Sequence, residues 1–78
     1  MQEKYRQKYR LLGLHIAMYR KAKGLTQEQF AEAIDKSWSF VSQIEANNGK
    51  KIKGMSLDTL FTISDVLDVS LSKLFDEI

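Results

Sequence analysis

The chain has no cysteine and no proline, and only four of its 78 residues are glycine. Without cysteine it cannot form a disulfide, a thiolate metal site or a thiol nucleophile, although this absence does not fix its redox compartment. Without proline, and with so few glycines, the chain has few residues that oppose helix formation. These absences favour a mainly helical fold.

Long apolar runs and catalytic groups are scarce as well. No apolar stretch approaches the roughly 18 residues that a membrane span needs, and the charged N-terminus leads into no signal-peptide segment. We therefore expect a soluble cytoplasmic protein without membrane partners. His15 is the single histidine, and we expect it at the surface or at the edge of the core. No cluster of ligand residues has metal-site spacing and the glycines form no phosphate-binding loop, so we predict a non-enzyme without metal or cofactor.

Charge is unevenly distributed, although the net charge is only +2. Residues 1–25 carry seven basic residues against one acidic residue, and residues 47–55 carry three lysines and no acidic residue. The stretches 26–46 and 56–78 are net acidic. The two basic segments suit contact with a polyanion, and the alternative is a solvated arm and an ordinary surface loop.

Hydrophobic periodicity and capping residues predict five helices. Gly24 is suited to ending the first helix in a left-handed conformation, while Thr26, Ser37, Ser56 and Ser70 can cap the four helices that follow. The first helix should begin between residues 3 and 9 and end near 23, and the others should span 27–34, 38–46, 57–67 and 71–75.

Apolar residues recur at helical spacing in the first four predicted helices. In the first helix, one stripe contains Tyr5, Tyr9, Leu12, Ile16 and Tyr19. The residues expected to face inward are Phe30, Ala31 and Ile34 in the second helix, Val41 and Ile44 in the third, and Leu57, Leu60, Ile63 and Leu67 in the fourth.

The most specific pattern lies in residues 24–45, where two short amphipathic helices are joined by a linker of only a few residues. So short a linker lets two helices meet only at a steep angle. This is the geometry of the helix-turn-helix, whose second helix can enter the DNA major groove.

Over roughly residues 12–75 the chain resembles the phage repressor and Cro-like (XRE-type) family of helix-turn-helix regulators. The order and spacing of several short matches carry this resemblance: Leu12-Gly13, Ile16, Tyr19-Arg20, Gly24-Leu25-Thr26-Gln27, Phe30-Ala31, Val41-Ser42-Gln43-Ile44-Glu45, Ser56-Leu57-Asp58-Thr59-Leu60 and Val69-Ser70-Leu71-Ser72-Lys73-Leu74-Phe75. The chain departs from the family at Asp35, which replaces the usual turn glycine, and at Lys36, which replaces an apolar residue. The turn needs a positive φ, which Asp tolerates better than most residues.

The resemblance implies an all-α, compact five-helix lambda-repressor-like domain over residues 1–78, with a basic helical extension over 1–8 and no effector-binding domain. It also implies a transcriptional regulator that binds double-stranded DNA sequence-specifically as a homodimer. The alternative function is a protein-interaction module, an antitoxin or adaptor, that presents Trp38 and Phe40 to a protein partner. A salt titration of binding to random DNA would distinguish the two, because only phosphate contacts release counterions.

The resemblance also assigns residues to DNA bases. Since Val41 and Ile44 face the core, the opposite face of the third helix should contact base edges. The residues on this face are Trp38, Ser39, Ser42 and Gln43. The Gln43 amide suits an adenine edge, the two serines can bond to either kind of base, and Trp38 fits a thymine methyl group or a sugar. The alternatives are that Trp38 packs against the second helix or a partner and that the serines are solvated.

Other residues are expected to contact the DNA backbone: Gln27, Phe40, Asn47, Asn48, Lys50, Lys51 and Lys53. Gln27 could instead be an ordinary first-turn residue, and Phe40 a half-buried core residue. The resemblance further implies a partly buried ion pair between Arg20 and Glu45, so Arg20 is not assigned to DNA.

A subunit interface is expected at the C-terminal end. Four apolar residues recur at helical spacing in a helix too short to bury all of them, namely Leu71, Leu74, Phe75 and Ile78. The alternative is that Leu71 and Leu74 cap the core while Phe75 and Ile78 lie in solvent.

Overall fold

The computed structural model describes residues 5–46 and 54–76, which form five α-helices. These are α1 (Arg6–Ala22), α2 (Gln27–Ala33), α3 (Trp38–Ala46), α4 (Leu57–Leu67) and α5 (Leu71–Phe75). The bounds agree with the prediction to within a residue or two, and α2 ends one residue early. Within this described part, no helix is long and apolar enough to cross a membrane, and no three potential metal ligands lie together.

Hydroxyl caps begin three of the helices, as the sequence predicted. The Thr26 hydroxyl accepts a hydrogen bond from the Gln29 backbone N–H, and the Gln29 side chain accepts one from the Thr26 N–H. The Ser37 and Ser56 hydroxyls each accept from an N–H three residues later. Ser70 does precede α5, but its hydroxyl pairs with that of Ser72 and makes no capping bond, so this part of the prediction is wrong.

Two positive φ angles shape the connections around α2. Gly24 has a φ of 80° after α1, and Asp35 has a φ of 58° between α2 and α3. The left-handed conformations predicted at both positions are therefore confirmed. The short polar side chain of Asp35 tolerates the left-handed region of φ and ψ, so Asp35 can occupy a turn position where glycine is more usual.

The core lies where all five helices meet. Its buried apolar residues are Leu12, Ile16, Phe30, Ala31, Ile34, Val41, Ile44, Leu60, Ile63, Leu67 and Leu74. The predicted inward position of Leu57 is wrong, since this residue is 67% exposed. At about 100° per residue, the buried positions 59, 60, 63 and 67 cluster on one side of α4, and Leu57 lies about 100° from the middle of that side.

His15 corrects the expectation of a surface or boundary histidine, because only 3% of it is exposed. Its Nδ1 lies 2.8 Å from the backbone oxygen of Leu74. A carbonyl oxygen can only accept, so the Nδ1–H group donates this hydrogen bond to Leu74 of α5. The short α5 packs over α1 at this point, and the imidazole is buried between them.

Leu74 is likewise fully buried, in the core of its own chain. Its assignment to a subunit interface is therefore wrong: the side chain that was expected to face a partner faces α1 and α4 instead. Leu71 packs partly buried against the core, and Phe75 is 55% exposed. Ile78 lies outside the described residues.

Candidate nucleic-acid interface

The α2–α3 pair buries one side of each helix and leaves one side of α3 open to solvent. Phe30 of α2 and both Val41 and Ile44 of α3 are completely buried. The backbone N–H of Lys36 donates to the carbonyl of Ala31 over 2.9 Å, which fixes the turn between the two helices. The turn thus holds α3 in one orientation relative to α2.

The open side of α3 carries the residues that were predicted to contact bases. Ser39 and Gln43 are exposed, Ser42 is half-buried, and Trp38 is 52% exposed although it is the largest side chain of the set. The structure therefore brings all four together on one side of the helix. Ser42 is the least accessible of the four.

An ion pair attaches the last turn of α3 to α1. The Arg20 guanidinium donates to both carboxylate oxygens of Glu45, from Nε to Oε2 over 2.6 Å and from Nη2 to Oε1 over 3.0 Å. Its Nη1 donates to the backbone oxygen of Leu25 over 2.7 Å. The two side chains are only 8% and 6% exposed. Arg20 is thus a scaffold residue, as the family resemblance implied.

Gln27 extends this network to the first residue of α3. Its Nε2 donates to Glu45 Oε1 over 3.0 Å, and its Oε1 accepts from the Trp38 indole Nε1–H over 3.0 Å. The Nε2 group has a second N–H, so a side-chain contact from Gln27 to a phosphate requires neither of these bonds to break. This contact stays a prediction. The indole N–H of Trp38 is thus bonded to the first residue of α2, while about half of the Trp38 surface remains exposed.

No sequence pattern predicted that Gln27 would connect Glu45 to Trp38. Gln27 is 18 residues from Glu45 and 11 residues from Trp38. The only available signal was the predicted Arg20–Glu45 pair, which places a carboxylate near the start of α2.

The expected backbone contacts are only partly within the described residues. Phe40 is half-buried and packs against the core, with the Lys36 Nζ 5.4 Å from its ring centre. Its proposed approach to a phosphate stays a prediction. The other candidates, Asn47, Asn48, Lys50, Lys51 and Lys53, lie outside the described residues.

Comparison with known proteins agrees with this geometry. A family model described as helix-turn-helix matches residues 16–74, which include α2, α3 and α4. The search of curated proteins gives no significant match.

Several solved structures of bacterial regulators are similar to this chain. The restriction-modification controller protein C.AhdI from Aeromonas hydrophila is 27% identical, with a TM-score of 0.75 over 86% of this chain and 96% of that one. The clp gene regulator ClgR from Corynebacterium glutamicum is 26% identical, with a TM-score of 0.75 over 85% of this chain and 66% of that one.

SinR, described as the master regulator for biofilm formation, is more similar in sequence. Its complex with DNA is 37% identical, with a TM-score of 0.72 over 83% of this chain and 98% of that one. The N-terminal DNA binding domain of SinR from Bacillus subtilis is also 37% identical, with a TM-score of 0.73 over 87% of this chain and 94% of that one.

Proposed function

Since this chain belongs to the XRE-type helix-turn-helix family of DNA-binding regulators, we propose that it regulates transcription from the cytoplasm by reading a specific double-stranded DNA sequence with α3 in the major groove. The observation that carries this proposal is the division of α3 into two sides. One side is anchored by completely buried Val41 and Ile44, and the other presents Ser39 and Gln43 to solvent. A rigidly held helix with short polar side chains on its open side suits base-edge recognition.

Phosphate contacts supply the sequence-independent part of the affinity in this proposal. The lysines at 50, 51 and 53 follow α3 directly in the chain. Their charges suit a position beside the DNA backbone, with Gln27 and Phe40 contacting the backbone from the α2–α3 pair. Phosphate contacts fix the register of α3 on the duplex, and base contacts then select the sequence.

Gln43→Ala tests the reading of bases. We expect the variant to bind a site selected from a random DNA pool about 1–3 kcal/mol more weakly, because a paired hydrogen bond to a base edge is lost. Binding to random duplex DNA should be nearly unchanged. Both affinities can be measured by fluorescence anisotropy at one fixed salt concentration.

Gln7→Ala is the matched control, since Gln7 is an exposed glutamine on α1 and not on α3. It should leave both affinities unchanged. Equal losses on specific and random DNA for Gln43→Ala would show that Gln43 does not read bases.

The half-exposed Trp38 also suits a protein partner, as in an antitoxin or adaptor. The salt dependence of binding separates this function from DNA binding. Affinity for DNA should fall steeply as the salt concentration rises, because each neutralised phosphate releases counterions. Failure to bind either random or selected DNA at low salt would favour the protein partner.

We further propose that the protein acts as a homodimer. One recognition helix covers only a few base pairs, whereas a two-fold dimer reads two half-sites about 34 Å apart. The exposed Phe75 and partly buried Leu71 of α5 are the described residues that suit a subunit contact. Contiguous apolar surface that is left exposed commonly marks an interface.

Phe75→Asp tests this assembly. We expect it to shift the chain toward monomers in sedimentation velocity, free or with operator DNA, because a carboxylate would be buried at the contact. Phe61→Asp is the control, since Phe61 is similarly exposed, at 49%, but lies on α4. If wild type binds operator as one copy per site, or if both variants behave alike, the proposed interface is wrong.

A further inference from the structure

The indole N–H of Trp38 already has a partner inside the protein. It donates to Gln27 Oε1 over 3.0 Å, and this is the only hydrogen-bonding group of an indole. The rest of the side chain is apolar, and the residue as a whole is 52% exposed. Trp38 therefore presents to its surroundings an aromatic surface whose donor is satisfied elsewhere.

The partners of Gln27 also determine which way its amide points. The Glu45 carboxylate can only accept, so the Gln27 Nε2 must face it; the indole can only donate, so Oε1 must face Trp38. The carboxylate is itself held by Arg20 through two hydrogen bonds. An unbroken series of bonds thus connects a nearly buried ion pair to the indole and sets the position of the ring.

From this arrangement we propose that Trp38 recognises the 5-methyl group of a pyrimidine in the major groove. The inference rests on the proposed DNA-binding function and adds a chemical specificity to it. With its N–H occupied, the indole cannot donate to a base-edge acceptor, whereas its apolar surface can cover a methyl group. Thymine presents that methyl group in the major groove. A 5-methylcytosine presents the same group on the same ring carbon, so the protein should also distinguish methylated from unmethylated cytosine.

Gln27 is a positioning residue in this proposal. Apart from its proposed contact with the DNA backbone, it acts on the methyl group through Trp38, because its Oε1 holds the indole in one orientation before binding. A side chain that is already ordered loses less conformational entropy when it contacts the base. Methyl recognition should therefore depend on Gln27 even though its amide faces other protein groups.

The test begins with selection of binding sites by the wild-type protein and by Trp38→Ala from the same random DNA pool. The position whose base preference is lost in the variant is the one that Trp38 contacts. At this position thymine is replaced by deoxyuridine, and in separate duplexes cytosine is compared with 5-methylcytosine. We expect wild type to bind each methylated duplex about fourfold more tightly, which corresponds to one buried methyl group at about 0.8 kcal/mol.

Three variants and one control assign this discrimination to the ring of Trp38 and to Gln27. Trp38→Ala should bind methylated and unmethylated duplexes equally, while Trp38→Phe should retain a preference because it keeps an apolar ring. Gln27→Ala should reduce the preference, whereas Glu28→Ala, an exposed neighbour on α2, should preserve it. Circular dichroism of each variant establishes that it is folded.

A second measurement follows the indole itself. Trp38 is the only tryptophan in the chain, so a ¹⁵N-labelled sample gives a single indole N–H resonance. We expect this resonance to move in Gln27→Ala and to change little on binding DNA, while the ring C–H resonances shift strongly.

The outcomes separate two kinds of failure. If no sequence is selected from the pool, the proposed function fails and the inference with it. If a sequence is selected but no position depends on Trp38, or if removing the methyl group changes affinity by less than 1.5-fold, only the inference is overturned. Equal loss of preference in Trp38→Phe and Trp38→Ala would also overturn it.

Discussion

Glu45→Ala is expected to lower the free energy of unfolding by about 3–5 kcal/mol, because it leaves the guanidinium of Arg20 buried without its counter-charge. The Arg20 side chain is 8% exposed and would keep only its bond to the backbone oxygen of Leu25. Gln27 would lose the acceptor of its Nε2 at the same time. Urea denaturation followed by circular dichroism measures the change.

Two controls test whether the loss of stability comes from the unpaired charge. Glu32→Ala removes an exposed carboxylate from α2 and should change stability by less than about 0.5 kcal/mol. Replacing both partners, as in Arg20→Met with Glu45→Met, should cost much less than the sum of the two single replacements, because no unpaired charge remains. If the single and double variants are additive, the two charges are not coupled and the loss has another origin.

The helices themselves were predictable because each follows from local signals. The 3.6-residue periodicity locates them, and the capping residues and Gly24 define most of their ends. The one wrong core position on α4 illustrates the limit of this reasoning. Leu57 shares the helical spacing of the buried leucines. However, the packing of α1 and α5 determines which side of α4 faces inward, and the periodicity of α4 alone gives no information on that packing.

Residues whose environment comes from distant segments were harder to predict. The burial of His15 depends on a distant segment, since its hydrogen-bond partner is Leu74, 59 residues away. Leu74 was expected at an interface because α5 alone is too short to bury it. The packing of α5 against α1 explains both errors, since this single contact encloses the two side chains.

The candidate site was predictable in its outline but not in its detail. The exposed side of α3 follows from the inward positions of Val41 and Ile44, and the family resemblance assigns the residues on that side to DNA bases. The Arg20–Glu45 pair came from the family resemblance. The bonds from Gln27 to Glu45 and Trp38 required knowing how α2 crosses the two ends of α3, which depends on the turn at Asp35.

Gly13 is another residue whose environment is set by a distant segment, since nothing in its local sequence indicates that a second helix crosses there. It lies in the interior of α1, where a glycine costs about 1 kcal/mol relative to alanine. The structure supplies the reason for this residue. A Cβ at position 13 would lie 2.1 Å from the backbone oxygen of Ile44, so α1 and α3 approach more closely than any other residue would permit.

Gly13→Ala should therefore lower the free energy of unfolding by about 3 kcal/mol, despite the better helix propensity of alanine. The obstructing atom is a backbone oxygen, so no side-chain rotation can relieve the contact and the two helices must move apart. Because α3 carries the proposed DNA contacts, the folded fraction of the variant should also bind DNA more weakly. Thermal and urea unfolding measure the first effect, and anisotropy under strongly native conditions measures the second.

Gly24→Ala distinguishes this crowding from the general effect of replacing a glycine. Nothing lies within 4 Å of a Cβ at position 24, so the only cost there is the positive φ of 80°. That cost is about 1–2 kcal/mol. Because the added Cβ would meet no part of α3, DNA binding should be preserved. A Gly13→Ala protein as stable as wild type would mean that the helices can separate freely at this crossing. Since the Arg20–Glu45 pair bridges the same two helices, such freedom would also contradict the large loss expected for Glu45→Ala.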